Sequence, residues 1–224
     1  MKLLITGATG MVGSELVRQA ILDNDVTHIL ALTRKPLDIQ HAKIRSIIHK
    51  DFLDYGTVLQ ELKEADVCAW CLGVSQLQVS KEQYHLITYD YTMAAAKAML
   101  SVNPNITFVF VSGEGADQTG KTRTLFGKVK GQAEKDLAEL PFEKLIIVRP
   151  GGIQPITKNP NAPFLYKLFY SFYPVFKLLT PSKVITSVEL AKAILIATRT
   201  KTGKVLLNNR ELKEILKERK TTVQ

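Results

Sequence analysis

TGATGMVG, Thr6 to Gly13, follows the apolar run KLLI at residues 2–5 and leads into MVGSELVRQAIL, residues 11–22, where apolar residues recur at helical spacing. The stretch reads as strand, tight turn and helix, and each glycine has its own task. Gly7 permits the turn, Gly10 lets backbone amides approach a pyrophosphate, and Gly13 allows the helix to pack close to the sheet. Thr9, Met11 and Val12 supply the backbone between them. The start of the helix then offers unpaired amides and a partial positive charge to phosphates. Together these features predict dinucleotide binding at the first strand-helix turn.

Outward from this turn the alternation continues. Strands are expected at HILALT (28–33), IRSIIH (44–49), DVCAWCL (66–72), ITFVFVS (106–112) and KLIIVRP (144–150), with a long helix over about 81–100 and another through Lys130 to about Leu140. These strands are apolar throughout rather than alternating, which indicates a parallel sheet covered by helices on both faces. The fold class is therefore α/β, a doubly wound Rossmann arrangement. A chain of 224 residues, 46% hydrophobic, suits one such domain.

After Pro150 the texture changes. GGIQPITKNPNAP (151–163) reads as a turn-rich loop, FLYKLFYSFYPVFKLL (164–179) is aromatic-rich and broken by Pro174, and VELAKAILIAT (188–198) is a helix. Residues 151–203 are expected to supply a substrate lobe above the carboxyl ends of the strands. NNRELKEILKERK (208–220) closes the chain as a helix with a basic end that complements its dipole.

The second strand carries the choice of cofactor. An NAD site places Asp or Glu at its end, roughly 20 residues on, to grip the ribose hydroxyls. Here ALTRKP puts Thr33 in that place, with Arg34 and Lys35 next. A guanidinium binds a 2′-phosphate and stacks on adenine, so NADP(H) is favoured over NAD(H).

The formal charge of +9 is scattered rather than gathered into one run, and no basic-aromatic motif or recognition helix points to nucleic acid. The two cysteines, Cys68 and Cys71, lie inside an apolar strand, where an offset of three sends them to opposite faces as core residues rather than a redox pair. No metal site is expected. The N-terminus shows no export signal and no apolar run reaches about 18 residues, so the expectation is a cytoplasmic protein without a membrane-spanning helix.

TGATGMVGSELV, KDFLD, CLGVS, YDYTMAAAKAM, FVSGEGAD, GKVKGQAE and VRPGG follow one another in the order of the motifs of atypical short-chain dehydrogenase/reductases. The chain resembles in particular the NAD(P)-binding branch similar to Tat-interacting-protein oxidoreductases, over roughly residues 1 to 215. The resemblance implies that Asp51 and Phe52 contact the adenine and that Leu72 and Gly73 run along the adenosine ribose. It places Ser112 at the end of the fifth strand facing the nicotinamide, with Lys130 on the nicotinamide ribose. Pro150, Gly151 and Ile153 would pass the carboxamide.

The resemblance also marks a departure. In the family a tyrosine four residues before the lysine protonates the substrate carbonyl while the serine polarises it, and this chain has Phe126 there. Because the two rings are the same size, Phe126→Tyr is expected to restore the acid without disturbing packing. As it stands, the site suits an apolar conjugated acceptor, a quinone or flavin, that draws its proton from water. The aromatic segment would stack on such a ligand, cover the site, or lie on a membrane surface with Lys167 and Lys177 at the headgroups. The alternative is an NADP(H)-binding regulator or scaffold with no catalysis of its own.

Overall fold

The computed structural model describes residues 1–156 and 179–222. Strands β1 (Lys2–Thr6), β2 (His28–Thr33), β3 (Ile44–Ile48), β4 (Val67–Trp70), β5 (Thr107–Val111), β6 (Lys144–Arg149) and β9 (Lys204–Asn208) form one seven-stranded sheet. Its order is β3-β2-β1-β4-β5-β6-β9, and every neighbouring pair is parallel. β7 (Gly152–Gln154) and β8 (Val184–Thr186) make a separate parallel pair.

Alternation along each strand divides the core into two layers. Leu3, Ile5, Ile29, Ala31, Val67, Ala69, Val109, Ile146 and Val148 face one side, under α1 (Met11–Leu22), α6 (Ser187–Thr200) and α7 (Asn209–Thr222). Leu4, Leu30, Leu32, Cys68, Trp70, Phe108, Phe110, Leu145 and Ile147 face the other, under α2 (Leu59–Lys63), α4 (Tyr91–Val102) and α5 (Leu125–Glu139). The second layer holds the large rings, with Trp70 stacked 6.4 Å from Phe108 and Phe108 5.1 Å from Phe142. Cys68 joins this layer while Cys71 packs against the other; both thiols are free, and burial raises the pKa of each.

α3 (Lys81–His85) opens on a capping box in which Ser80 accepts from the Gln83 amide and Gln83 answers the Ser80 amide. A π turn over Leu86–Asp90 joins it to α4. Tyr84, Thr88 and Thr92 are all buried at steps of four, the spacing that shares one helix face, and the wider turn removes the drift of about 40° per step that ordinary winding would add.

Several elements differ from the sequence reading. Gly152–Gln154, inside the expected loop, extends because it has β8 to pair with. The chain after α6 also contains β9, which the apolar pattern left unannounced. β3 is a half-exposed edge strand rather than a buried one. The aromatic segment with Tyr166, Tyr170 and Tyr173 lies outside the described residues. No helix among the described residues is long and apolar enough to cross a membrane.

Candidate functional site

The first turn is fixed by backbone contact. Gly7 takes φ +62°, and a Cβ on it would lie 2.6 Å from the Cys71 carbonyl oxygen. A Cβ on Gly13 would lie 2.2 Å from the Gly7 carbonyl oxygen, so α1 comes closer to the turn than any side chain permits. Gly10 differs: an added Cβ meets the Gly7 carbonyl at 3.2 Å and otherwise stands in open space. Gly10 is also the N-cap of α1, which has no side-chain cap and no acidic residue in its first turn. An open helix start with a free cradle before it fits a pyrophosphate.

Beside the turn lies a cleft of about 420 Å³ lined by Gly7, Ala8, Thr9, Leu32, Thr33, Arg34, Lys35, Phe52 and Leu72. The sheet brings the ends of β1, β2 and β4 side by side, so residues far apart in sequence share one wall. Thr33 Oγ1 donates to the Lys35 carbonyl at 2.6 Å and shapes the turn that carries Arg34 and Lys35, both exposed. Among the described residues no carboxylate lines the cleft. Phe52 is buried edge-on to His49 at 5.2 Å and stacked on Tyr91 at 5.7 Å, which fixes its ring. Asp51 Oδ1 accepts the Leu53 amide at 2.9 Å, and Asp51 does not line the cleft. Gly73 has no atom within 4 Å of an added Cβ.

A second group gathers at the carboxyl ends of β5 and β6. The Ser112 amide donates to the Val148 carbonyl at 2.9 Å, and its hydroxyl donates to Glu134 Oε1 at 2.5 Å. Glu134 on α5 is fully buried. It also accepts Gln118 Nε2 at 3.0 Å and Arg149 Nε at 2.9 Å, and pairs with the other arm of the guanidinium. This pairing raises the pKa of Arg149. Sequence reading missed Glu134; the available signal was its place four residues after Lys130, on the same helix face.

Lys130 Nζ donates to the Val111 carbonyl at 2.9 Å and sits 4.6 Å from the Phe110 ring centroid. Burial pulls its pKa down to about 8, against the charge of Glu134 and the Cys71 thiol, which raise it. The Lys130 ammonium is therefore expected to titrate near 8 by ¹⁵N-detected NMR. Glu134→Gln should bring it lower, since the main influence holding it up is removed.

The ring of Phe126 ends against Gly113. The Cβ position of Gly113 lies 2.8 Å from Cζ and 3.6 and 3.7 Å from the two Cε atoms, almost on the ring axis. A tyrosine hydroxyl on Cζ would run into that backbone. The expectation that the two rings interchange freely is corrected accordingly. A polarising role for Ser112 also needs revision, because its one proton is taken by Glu134.

Past β6, a Cβ on Gly151 would lie 2.1 Å from the Lys183 carbonyl oxygen, and its amide donates to Asn209 Oδ1 at 3.2 Å. The Pro150 carbonyl accepts the Glu114 amide at 2.9 Å, and Ile153 pairs with Ile185 in the small ribbon. The close backbone contact at Gly151 accounts for the glycine there.

A phosphate cradle at the first turn, a cleft at the end of β2, and this strand order define a dinucleotide-binding protein of the doubly wound class. The chain belongs to the NAD(P)H-binding family whose model matches residues 7–164, as an atypical short-chain dehydrogenase/reductase-like protein. It is 31% identical over 160 residues to the leucinostatins biosynthesis cluster protein T of Purpureocillium lilacinum, covering 69% of this chain and 58% of that one. It is 31% identical over 152 residues to the mitochondrial protein FMP52 of Meyerozyma guilliermondii, covering 67% and 64%. The match thus spans less than two thirds of either relative.

Among solved structures, MoeE5 in complex with UDP-glucuronic acid and NAD superposes with a TM-score of 0.69 at 16% identity, over 93% of this chain and 76% of that one. Uronate dehydrogenase from Agrobacterium tumefaciens gives 0.66 at 19% identity, over 93% and 76%. Both likenesses are of fold. The expectation of a cytoplasmic protein is overturned by its relatives, because the FMP52 proteins of several fungi, including Candida albicans and Kluyveromyces lactis, are mitochondrial.

Proposed function

We propose that the protein binds NADP(H) in preference to NAD(H) and reduces an apolar conjugated acceptor of the quinone or flavin class. The observations that carry this reading are an open cleft at the glycine turn with Arg34 and Lys35 on its wall, and Phe126 on α5, a ring with no proton to give. When bound, NADPH supplies hydride. Gly10 and the start of α1 hold the pyrophosphate, Phe52 and Leu72 flank the adenosine, and Lys130 positions the ribose from beneath β5. Likeness to FMP52 supports a mitochondrial place of action, which fractionation of a tagged full chain in a fungal cell checks.

Arg34 and Lys35, with no carboxylate beside them among the described residues that line the cleft, support the cofactor choice. Calorimetry should show NADPH binding more tightly than NADH, and Arg34→Ala should narrow the gap by roughly tenfold, the loss of one charge-assisted phosphate contact. Equal affinities in the wild type would refute the role given to Arg34.

For the reaction, steady-state NADPH oxidation should proceed with a small quinone and be slow with a simple ketone. Phe126→Tyr should raise ketone reduction by far less than the roughly 100- to 10,000-fold that a positioned acid contributes, because Gly113 stands where the hydroxyl would go. A gain approaching that range would mean the ring swings clear and the proton route was lost by one substitution.

One observation favours a second reading, a cofactor-bound regulator without turnover: Ser112 turns its proton inward, away from any substrate. NADPH binding without oxidation across the panel would support it.

A further inference from the structure

Glu134 is a buried carboxylate that receives hydrogen bonds from three separate parts of the chain: Ser112 at the end of β5, Gln118 in the following loop, and Arg149 at the end of β6. A carboxylate accepts and does not donate, so the 2.5 Å contact with Ser112 runs one way, from Oγ to Oε1. A serine hydroxyl has one proton and two lone pairs. Once the proton is given to Glu134, Ser112 has only acceptor capacity left. The bond is charge-assisted and enclosed, which makes it the stronger alternative to donating toward a ligand.

Resting on the reductase reading above, we propose that Glu134 is a positioning residue that makes Ser112 a hydrogen-bond acceptor toward the ligand. The ligand group seated at the end of β5 is then an O–H or N–H donor, and not a bare carbonyl oxygen. This refines the substrate class. A conjugated acceptor recognised here carries a donor of its own, or is held through the hydroxyl of its reduced form. A quinone carbonyl at this point would meet lone pairs. The arrangement also gives Arg149 a part in ligand choice without contact with the ligand, since its guanidinium holds Glu134 in the orientation that captures the serine proton.

The decisive change is Glu134→Gln. Its amide oxygen can still receive Arg149, which leaves the amide N–H₂ toward Ser112. Ser112 then accepts from Gln, and its own proton is released toward the ligand. The preference should invert, which loss of packing alone would not produce.

The experiment is calorimetry on the NADP⁺-saturated full chain with two probes on one ring system, 2-naphthol as donor and 2-acetylnaphthalene as acceptor. Neither is turned over in the presence of NADP⁺. The wild type should prefer the naphthol, Ser112→Ala should reduce the naphthol-to-ketone affinity ratio by about tenfold, and Glu134→Gln should move it past parity toward the ketone. Thermal melting and NADP⁺ affinity establish that each variant is folded and loaded. Should Glu134→Gln not fold, the Ser112→Ala ratio decides alone. An unchanged ratio, equal weakening of both probes, or no binding of either probe to the wild type overturns the proposal. Quinone-dependent NADPH oxidation by the wild type is measured separately, so failure of the reductase reading is distinguishable from failure of this one.

Discussion

Replacing Gly10 with valine should lower NADPH affinity by roughly 100-fold or more, about 2.7 kcal/mol, and leave the melting temperature nearly unchanged. The reasoning is local. A Cβ at Gly10 meets the Gly7 carbonyl oxygen at 3.2 Å, a tight contact relieved by a shift of a few tenths of an ångström, and no other atom of the described residues within 4 Å, so the folded chain without cofactor accommodates it at small cost. The branched side chain would fill the space before the start of α1, where a pyrophosphate must lie to meet the helix amides. Gly13→Val supplies the contrast. Its Cβ would stand 2.2 Å from a backbone oxygen, which cannot move aside as a side-chain tip can, so that variant should lose stability as well as binding. Calorimetry with thermal melting on both proteins separates the cases. Wild-type affinity in the Gly10 variant would mean that the phosphates do not approach α1 at all.

Glu134→Ala should cost about 3–5 kcal/mol of folding stability, the range for breaking a buried ion pair from one side. Glu134 is fully buried, and the Arg149 side chain is 23% exposed. Removal of the carboxylate strands the guanidinium, the Ser112 hydroxyl and the Gln118 amide together, and leaves a cavity between α5 and the sheet. Urea denaturation measures the loss. A change under about 1 kcal/mol would be in the range of an exposed pair and would show that solvent reaches the site readily. Glu134→Gln should lose much less, since the amide oxygen still accepts from Arg149 and Gln118 and the amide N–H₂ faces Ser112.

The contrast between these two positions shows what the sequence disclosed. Gly7, Gly10 and Gly13 announce themselves because all three act within one turn, and their spacing is the geometry. The apolar runs of β1, β2, β4, β5 and β6 are equally plain, since a strand covered on both faces has little use for polar residues. β9 has mixed exposure over five residues, so its pattern carries little, and it extends because β6 offers it an unpaired edge. Gly152–Gln154 likewise depends on a partner about thirty residues away. Glu134 was missed for the same reason: a glutamate on a helix looks solvated until Ser112 and Arg149 are brought to it by the ends of two other strands. Phe126 is legible in the sequence as a ring without a proton to give, but its contact with Gly113 belongs to tertiary structure.

The π turn at Leu86–Asp90 also bears on how this helix tolerates changes of length. A regular helix turns roughly 100° per residue, so inserting or deleting a residue ordinarily rotates everything on one side of the change. Here the turn already accommodates surplus chain. Excision of one residue from it would let the segment rewind as ordinary α-helix and keep α4 seated, with Thr92, Ala95, Ala96 and Met99 still in the core. Tyr84 would stay on the buried face as well, because seven steps of about 100° turn the chain nearly as far as eight that include the wider turn. Length variation in this helix thus has one inexpensive location, the wide turn itself, where loss of a residue rotates neither the face that carries Tyr84 nor α4.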